Sequence, residues 1–174
     1  MTKLSSRKIL RSREFGKLKL IGGHKIYHLE GNVYRHSILV WRASKKIFRG
    51  DHLMQIVALL HDIGKIETSQ RKGKGDWSYP GHSPAGAEIL DRFVSKEDPR
   101  FEVIKWYVGN HIKPLFWNSK KDAQRMYVPK GCSIQNLAKL ALCDLSGSYA
   151  IPEVGKQEEK VKLLCEVAGI KEVR

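Results

Sequence analysis

Repeatedly along this chain a helix-capping residue stands directly before a segment whose apolar residues recur at helical spacing. That pattern leaves little room for anything but helices packed on helices. Asn32 precedes "VYRHSILVWRAS", and Asp51 precedes "HLMQIVALLHD", in which Leu53, Ile56, Val57 and Leu60 share a face. Ser133 precedes "IQNLAKLALCDLSGS". Ser83 followed by Pro84 supplies a cap and first turn for "AGAEILDRFVS", Pro99 opens "RFEVIKWYVGNH", and Pro152 opens a last helix. Gly64 offers a C-terminal stop to the helix after Asp51. The expected fold class is all-α, a bundle of about five or six helices.

Other stretches read differently. Residues 1–16 look like a basic, loosely held arm ahead of a single domain over 17–174. "GKLKLIGGHKIYHLE" (16–30) has two β-prone runs split by Gly22-Gly23, the pattern of a short β-hairpin. Residues 71–81 read as a Gly-rich loop, and 113–132, with Pro114, Pro129 and Gly131, as a second long one.

A chain of 174 residues, 41% hydrophobic, can bury a substantial core, which excludes wholesale disorder. Its longest aliphatic run, Ile56 to Leu60, is far too short to span a bilayer, so no membrane partner is expected. Cys132, Cys143 and Cys165 are widely spaced and form neither a zinc knuckle nor a disulfide framework. They suit a reducing compartment, and the cytoplasm is expected. The basic, serine-containing first twenty residues keep a transit peptide as the competing reading. The net charge of +14 points to phosphate-bearing partners.

The seven histidines are placed more tellingly than they are numerous. His36 lies inside a helix on an otherwise apolar segment; His61 and Asp62 end the next. His82 precedes a helix, His111 ends one and Asp144 closes another. Imidazoles and carboxylates supplied from helix ends suit metal ligands converging in a bundle core. With no thiolate among them, the set favours a divalent ion such as Mn, Fe, Co, Ni, Zn or Mg. His61 and Asp62 project about 100° apart on a helix, so one ion can meet both only near the helix end. The opposing reading of His36 alone is a satisfied core histidine.

Five fragments, "IYHLEGNVYRHSILV", "ALLHDIGKIET", "YPGHSPAGAEIL", "GNHIKP" and "LALCDLSG", occur in the order seen in HD-domain metal-dependent phosphohydrolases. The chain resembles most the HD domain of bacterial CCA-adding tRNA nucleotidyltransferases, over roughly residues 27–147. The resemblance implies an all-α HD-domain bundle holding a metal through His36, His61, Asp62 and Asp144. It implies that His82 and His111 help bind a second ion or the phosphate, giving one or two divalent ions per site. Departures exist: Leu29 stands where proline commonly follows the histidine, Ser83 stands where Glu is common, and "CDLSGS" lacks a following arginine. The nucleotidyltransferase head is not in this stretch, so CCA addition is not expected.

Metal-assisted hydrolysis needs no serine or cysteine nucleophile, and no GxSxG or Cys–His pattern competes. Asp62 is then both ligand and catalytic residue. Lys65, as the HDxGK stretch implies, is a catalytic and substrate-binding cation; its local alternative is a solvated lysine favoured by the helix dipole. Lys113 and Trp77 are further substrate-binding candidates. Trp77, Tyr79, Trp106, Trp117 and Tyr127 can stack on bases, or serve as ordinary core and cap aromatics. The leading expectation is a phosphohydrolase of nucleotides or RNA ends (2′,3′-cyclic phosphodiesterase, 2′-nucleotidase or phosphatase type). The alternatives are a small-nucleotide 5′-nucleotidase or cyclic (oligo)nucleotide phosphodiesterase, and an RNA-binding module with a structural metal. Non-specific nucleic-acid binding through the basic surface fits the first and last. Metal affinity should fall as acid protonates the histidines.

Overall fold

The capping residues at the three long apolar segments act as their positions predict in the computed structural model, which describes residues 4–23, 29–73, 76–148 and 154–171. Asn32 Oδ1 accepts the Arg35 amide at 2.8 Å, Asp51 Oδ1 that of Met54 at 3.0 Å, and Ser133 Oγ that of Asn136 at 3.2 Å. In chain order the helices are α1 (Ser6–Arg11), α2 (Arg13–Gly16), α3 (Val33–Ile47), α4 (His52–Leu60) and α5 (Lys65–Thr68). Strands β1 (Gln70–Lys72) and β2 (Asp76–Ser78) follow, then α6 (His82–Glu88), α7 (Phe101–Asn110), α8 (Lys120–Gln124), α9 (Ile134–Gly147) and α10 (Val154–Ala168). Among the described residues the fold is all-α apart from the small antiparallel pair β1–β2.

Every residue from Ile56 to Leu60 is buried, as a helix apolar on all sides must be. α4 therefore runs through the middle, with α3, α7 and α9 against it; α6 packs on α7, and α10 on α9. No helix among the described residues is long and apolar enough to cross a membrane.

Several expectations need correction. Residues 17–20 form a 3₁₀ helix rather than a strand, because i,i+3 spacing lets Leu18 and Ile21 both bury against α3. Residues 24–28 of the expected hairpin lie outside the described residues, as does Pro152. The hairpin instead falls in the expected Gly-rich loop, with Gln70 opposite Ser78 and Lys72 opposite Asp76. Residues 5–16 are not a loose arm: Ser5 and Ser12 cap α1 and α2, which bury Ile9 and Phe15. The 113–132 loop carries a 3₁₀ turn over Lys113–Phe116 and α8, closed by a Ser119–Asp122 capping box. α6 starts one residue before Ser83; its cap is Gly81, whose φ of 68° is left-handed. Gly64, at φ −64°, is no left-handed stop.

Candidate metal centre

His36 faces inward from α3, one turn before Val40. α9 crosses at that level through Gly147, where a Cβ would lie 2.5 Å from Val40 Cγ2 and 2.7 Å from Val40 N. Only glycine allows this approach, and it carries Asp144, one turn earlier on α9, to within 3.0 Å of His36 Nε2. A second glycine contact sets the other half. A Cβ on Gly64 would lie 1.9 Å from His82 O and 2.4 Å from Gly86 N, so the turn after α4 sits directly on α6.

His61 keeps helical backbone past the end of α4, and its Nε2 lies 3.2 Å from that of His36 and 3.7 Å from Asp144 Oδ1. Asp62 lies between two groups of imidazoles. Its Oδ2 is 3.5 Å from His36 Nε2 and 3.4 Å from His61 Nε2. Its Oδ1 is 3.4 Å from His82 Nε2 and 3.5 Å from His111 Nε2, and those two nitrogens are 3.2 Å apart. The six candidate ligands thus come together as His36, His61, Asp62 and Asp144 on one side and Asp62, His82 and His111 on the other.

The outward nitrogens explain why the inner ones are free for a ligand. His61 Nδ1 donates to Ala58 O at 2.8 Å, His82 Nδ1 to Tyr79 O at 2.9 Å, and His111 Nδ1 to Val108 O at 2.7 Å. His36 Nδ1 is paired with Glu30 Oε1 at 2.8 Å. With Nδ1 carrying the proton, each neutral ring presents an Nε2 lone pair to the cluster. Pairs of lone pairs 3.2 Å apart repel unless a cation or proton lies with them, so this donor set fits divalent metal. Imidazole and carboxylate without thiolate fits first-row ions and Mg.

Charge is finely divided. Burial works against ionising Asp62 and Asp144, yet the Lys65 ammonium with the His61 and His111 imidazoles holds the Asp62 carboxyl well below its usual range, and the His36 and His61 imidazoles hold that of Asp144 there. Burial lowers His36, but hydrogen bonds to Asp144 and Glu30 carry it up to about 9. Burial takes His82 down to about 4. Without metal, His36 therefore contributes stability that is full below pH ~6.5 and lost as pH rises through about 9. His82 contributes stability present above ~6.5 and lost as pH falls toward about 4. The chelated protein should melt highest near pH 6.5, checked by calorimetry across that range. Seating an ion on His36 at pH 7.5 should release a proton, read as a buffer-dependent binding enthalpy.

Lys65 is not a solvated lysine. It is 4% exposed, its Nζ donates to Asp62 Oδ2 at 2.7 Å, and it sits 4.5 Å from the centre of the Tyr79 ring. Lys113 is exposed on the turn after His111, and its ammonium makes no hydrogen bond or ion pair among the described residues. Trp77 is half-buried on β2 with its indole nitrogen against Gly22; no hydrogen bond joins it to the cluster. Trp117 is buried, Trp106 packs against the core and Tyr127 is exposed.

Glu30, and the part Tyr79 plays through its backbone, escaped the sequence reading. Glu30 is buried, two residues before α3's cap, and nothing in its spacing from His36 marks it as a partner. Tyr79 acts through its carbonyl on His82, a contact that side-chain identity does not reveal, while its hydroxyl donates to Gly22 O. Glu30→Gln should weaken metal affinity about 10–100-fold, as loss of an outer-shell partner does, measured by competition with a chelating dye.

Comparison with known sequences follows this geometry. The profile of the HD domain matches residues 33–146, a stretch containing all six candidate ligands. Among curated proteins, none matched at the significance required. HD domains are typically metal-dependent hydrolases, and the donor set found here is of that kind. With the profile spanning well over half its length, the chain belongs to the HD-domain family.

Proposed function

We propose that this chain is a metal-dependent phosphohydrolase that cleaves a phosphoester of a nucleotide or an RNA end, of 2′,3′-cyclic phosphodiesterase, 2′-nucleotidase or phosphatase type. The observation that carries it is the convergence of four Nε2 atoms on one buried carboxylate, each ring fixed from behind through Nδ1. The motif likeness to nucleotidyltransferase HD domains supports the finer reaction types.

Divalent ions held by His36, His61, Asp62 and Asp144, and by Asp62, His82 and His111, would supply Lewis acidity toward a phosphoryl oxygen and lower the pKa of a water. Asp62 stays anionic because Lys65 and the imidazoles surround it, so it keeps two oxygens available, one toward each half. Lys65 offsets that negative charge from within the core, and the Tyr79 ring holds its ammonium in place. Neither Ser83 nor Cys143 competes as nucleophile. Ser83 Oγ is buried without a hydrogen-bond partner, and burial foremost pushes the Cys143 thiol well up, away from thiolate.

His82 and Asp144 are the most accessible ligands, each with a side chain 15% exposed, while the others are nearly sealed. Ligands so largely buried favour a terminal or free phosphoester over the interior of a duplex. Such burial equally suits the second reading, a small-nucleotide 5′-nucleotidase or cyclic (oligo)nucleotide phosphodiesterase. The test is turnover of cyclic, mono- and dinucleotides and of RNA ends with each common divalent ion, on wild type and Asp62→Ala. Wild-type protein of verified metal content that turns over none of these would sink the proposal.

A further inference from the structure

The charge of this chain is unevenly spent. Glu14 pairs with Lys17 and Arg92, Glu67 with Arg92, Asp91 with Lys96, Asp98 with Arg100, and Glu166 with Lys120. The cations of α3 stand apart from all of this. Arg35, Arg42, Lys45 and Lys46 on the helix, and Arg49 just past its end, are exposed and enter no ion pair among the described residues. The helix has no acidic residue from Val33 to Ile47. The flanking acids do not serve them: Glu30 faces His36, and Asp51 caps the Met54 amide.

Spacing turns these cations into a stripe. At about 100° per residue, Arg35, Arg42 and Lys46 fall within an arc of about 40°, and at 1.5 Å per residue they extend over about 16 Å. Lys45 lies beside the stripe, its ammonium 3.6 Å from the centre of the Trp41 ring. Lys19, exposed on the neighbouring 3₁₀ helix, lies 4.8 Å from the centre of the Tyr34 ring and extends the positive surface at the N-terminal end of α3. That end is the turn that carries His36. We infer that the outer face of α3 is a phosphate track for a nucleic-acid strand, and that the substrate of the adjacent centre is the end of such a strand rather than a free nucleotide. The inference rests on the phosphohydrolase reading for its second half only.

Nucleic acid is favoured over a lipid surface by what the face lacks. Among the described residues the large exposed apolar side chains are Leu20, Leu29, Phe116 and Tyr127, none of them on α3, so the helix has nothing to insert between acyl chains. A row of cations unneutralised by acids suits a polyanion that releases counterions as it binds.

The test is fluorescence anisotropy with a labelled 15-nucleotide RNA between 50 and 200 mM KCl, on wild type, Arg42→Gln/Lys46→Gln and Lys105→Gln/Lys130→Gln. The last pair removes the same charge from exposed positions on α7 and before α9. The α3 pair should lose about tenfold in affinity at low salt, with the salt slope flattened by about 1.4 for two lost contacts to a single strand. The control pair should lose far less. Equal losses in both pairs, or none in the α3 pair, would overturn the track. So would capture of phosphatidylserine vesicles through Arg42 and Lys46 with no RNA binding. Turnover of bis(4-nitrophenyl) phosphate by metal-loaded wild type separates the two failures. If the α3 pair loses RNA and wild type cleaves no phosphoester, the track stands and the enzyme reading falls. If wild type cleaves the small ester and RNA binding ignores α3, the enzyme reading stands and the track falls.

Discussion

Asp62→Ala is expected to remove metal binding from both halves of the cluster at once and to destabilise the fold by about 3–5 kcal/mol. The first effect follows from geometry, since Oδ1 and Oδ2 face different imidazole pairs. The second follows from Lys65, whose ammonium would be left in the core, 4% exposed, with no carboxylate beside it. For a chain of this length that cost corresponds to a fall of about 10 °C or more in Tm. Asp62→Ala/Lys65→Met should recover most of the stability, because replacing a buried ion pair by apolar groups is near neutral, but none of the metal. Denaturant unfolding and metal analysis on the two variants separate the contributions. A single variant as stable as wild type would refute the buried pair.

Gly64→Ala should be nearly as damaging, though it removes nothing. The added methyl meets backbone, His82 O and Gly86 N, rather than a side chain that can rotate away. Overpacking of a close contact costs about 1–3 kcal/mol, and rigid neighbours put this site at or above the upper end. α6 must retreat from the turn, and His82 retreats with it. Measured by metal titration, the variant should lose sites built on His82 and His111 before those built on His36 and Asp144. Gly147→Ala should show the reverse order, since its contact registers α9 on α3.

These glycines show what a single sequence can and cannot disclose. The long helices were legible because Asn32, Asp51 and Ser133 satisfy orphan amides locally and the apolar face repeats within each segment. α1 and α2 were missed although Ser5 and Ser12 are good caps, because helices that short persist only where Ile9 and Phe15 find a core. The 17–20 segment was misread since its β-prone residues are overruled by the burial of Leu18 and Ile21. The cluster was foreshadowed by chemistry-bearing side chains at helix ends and by resemblance. What stayed hidden were contacts made by backbone, such as Tyr79 O on His82, and by a residue of unremarkable spacing, Glu30. Gly64 was read as a helix stop when its office is close approach, which depends on what lies opposite in space.

The cluster also straddles a seam. His36 and Asp144 belong to the α3–α9 pair, His82 and His111 to the α6–α7 pair, and the turn after α4 meets both. Ions seated there would be cross-links, fastening helix pairs whose contacts are otherwise made by packing. At one hundred times the dissociation constant, such a link adds about 2.7 kcal/mol to the folded state. Stripping metal with a chelator should therefore lower Tm by about 5–10 °C, and re-addition should restore it. Heat tolerance in this chain would then be a readout of metal supply, with the centre acting as a rivet as much as a reaction site.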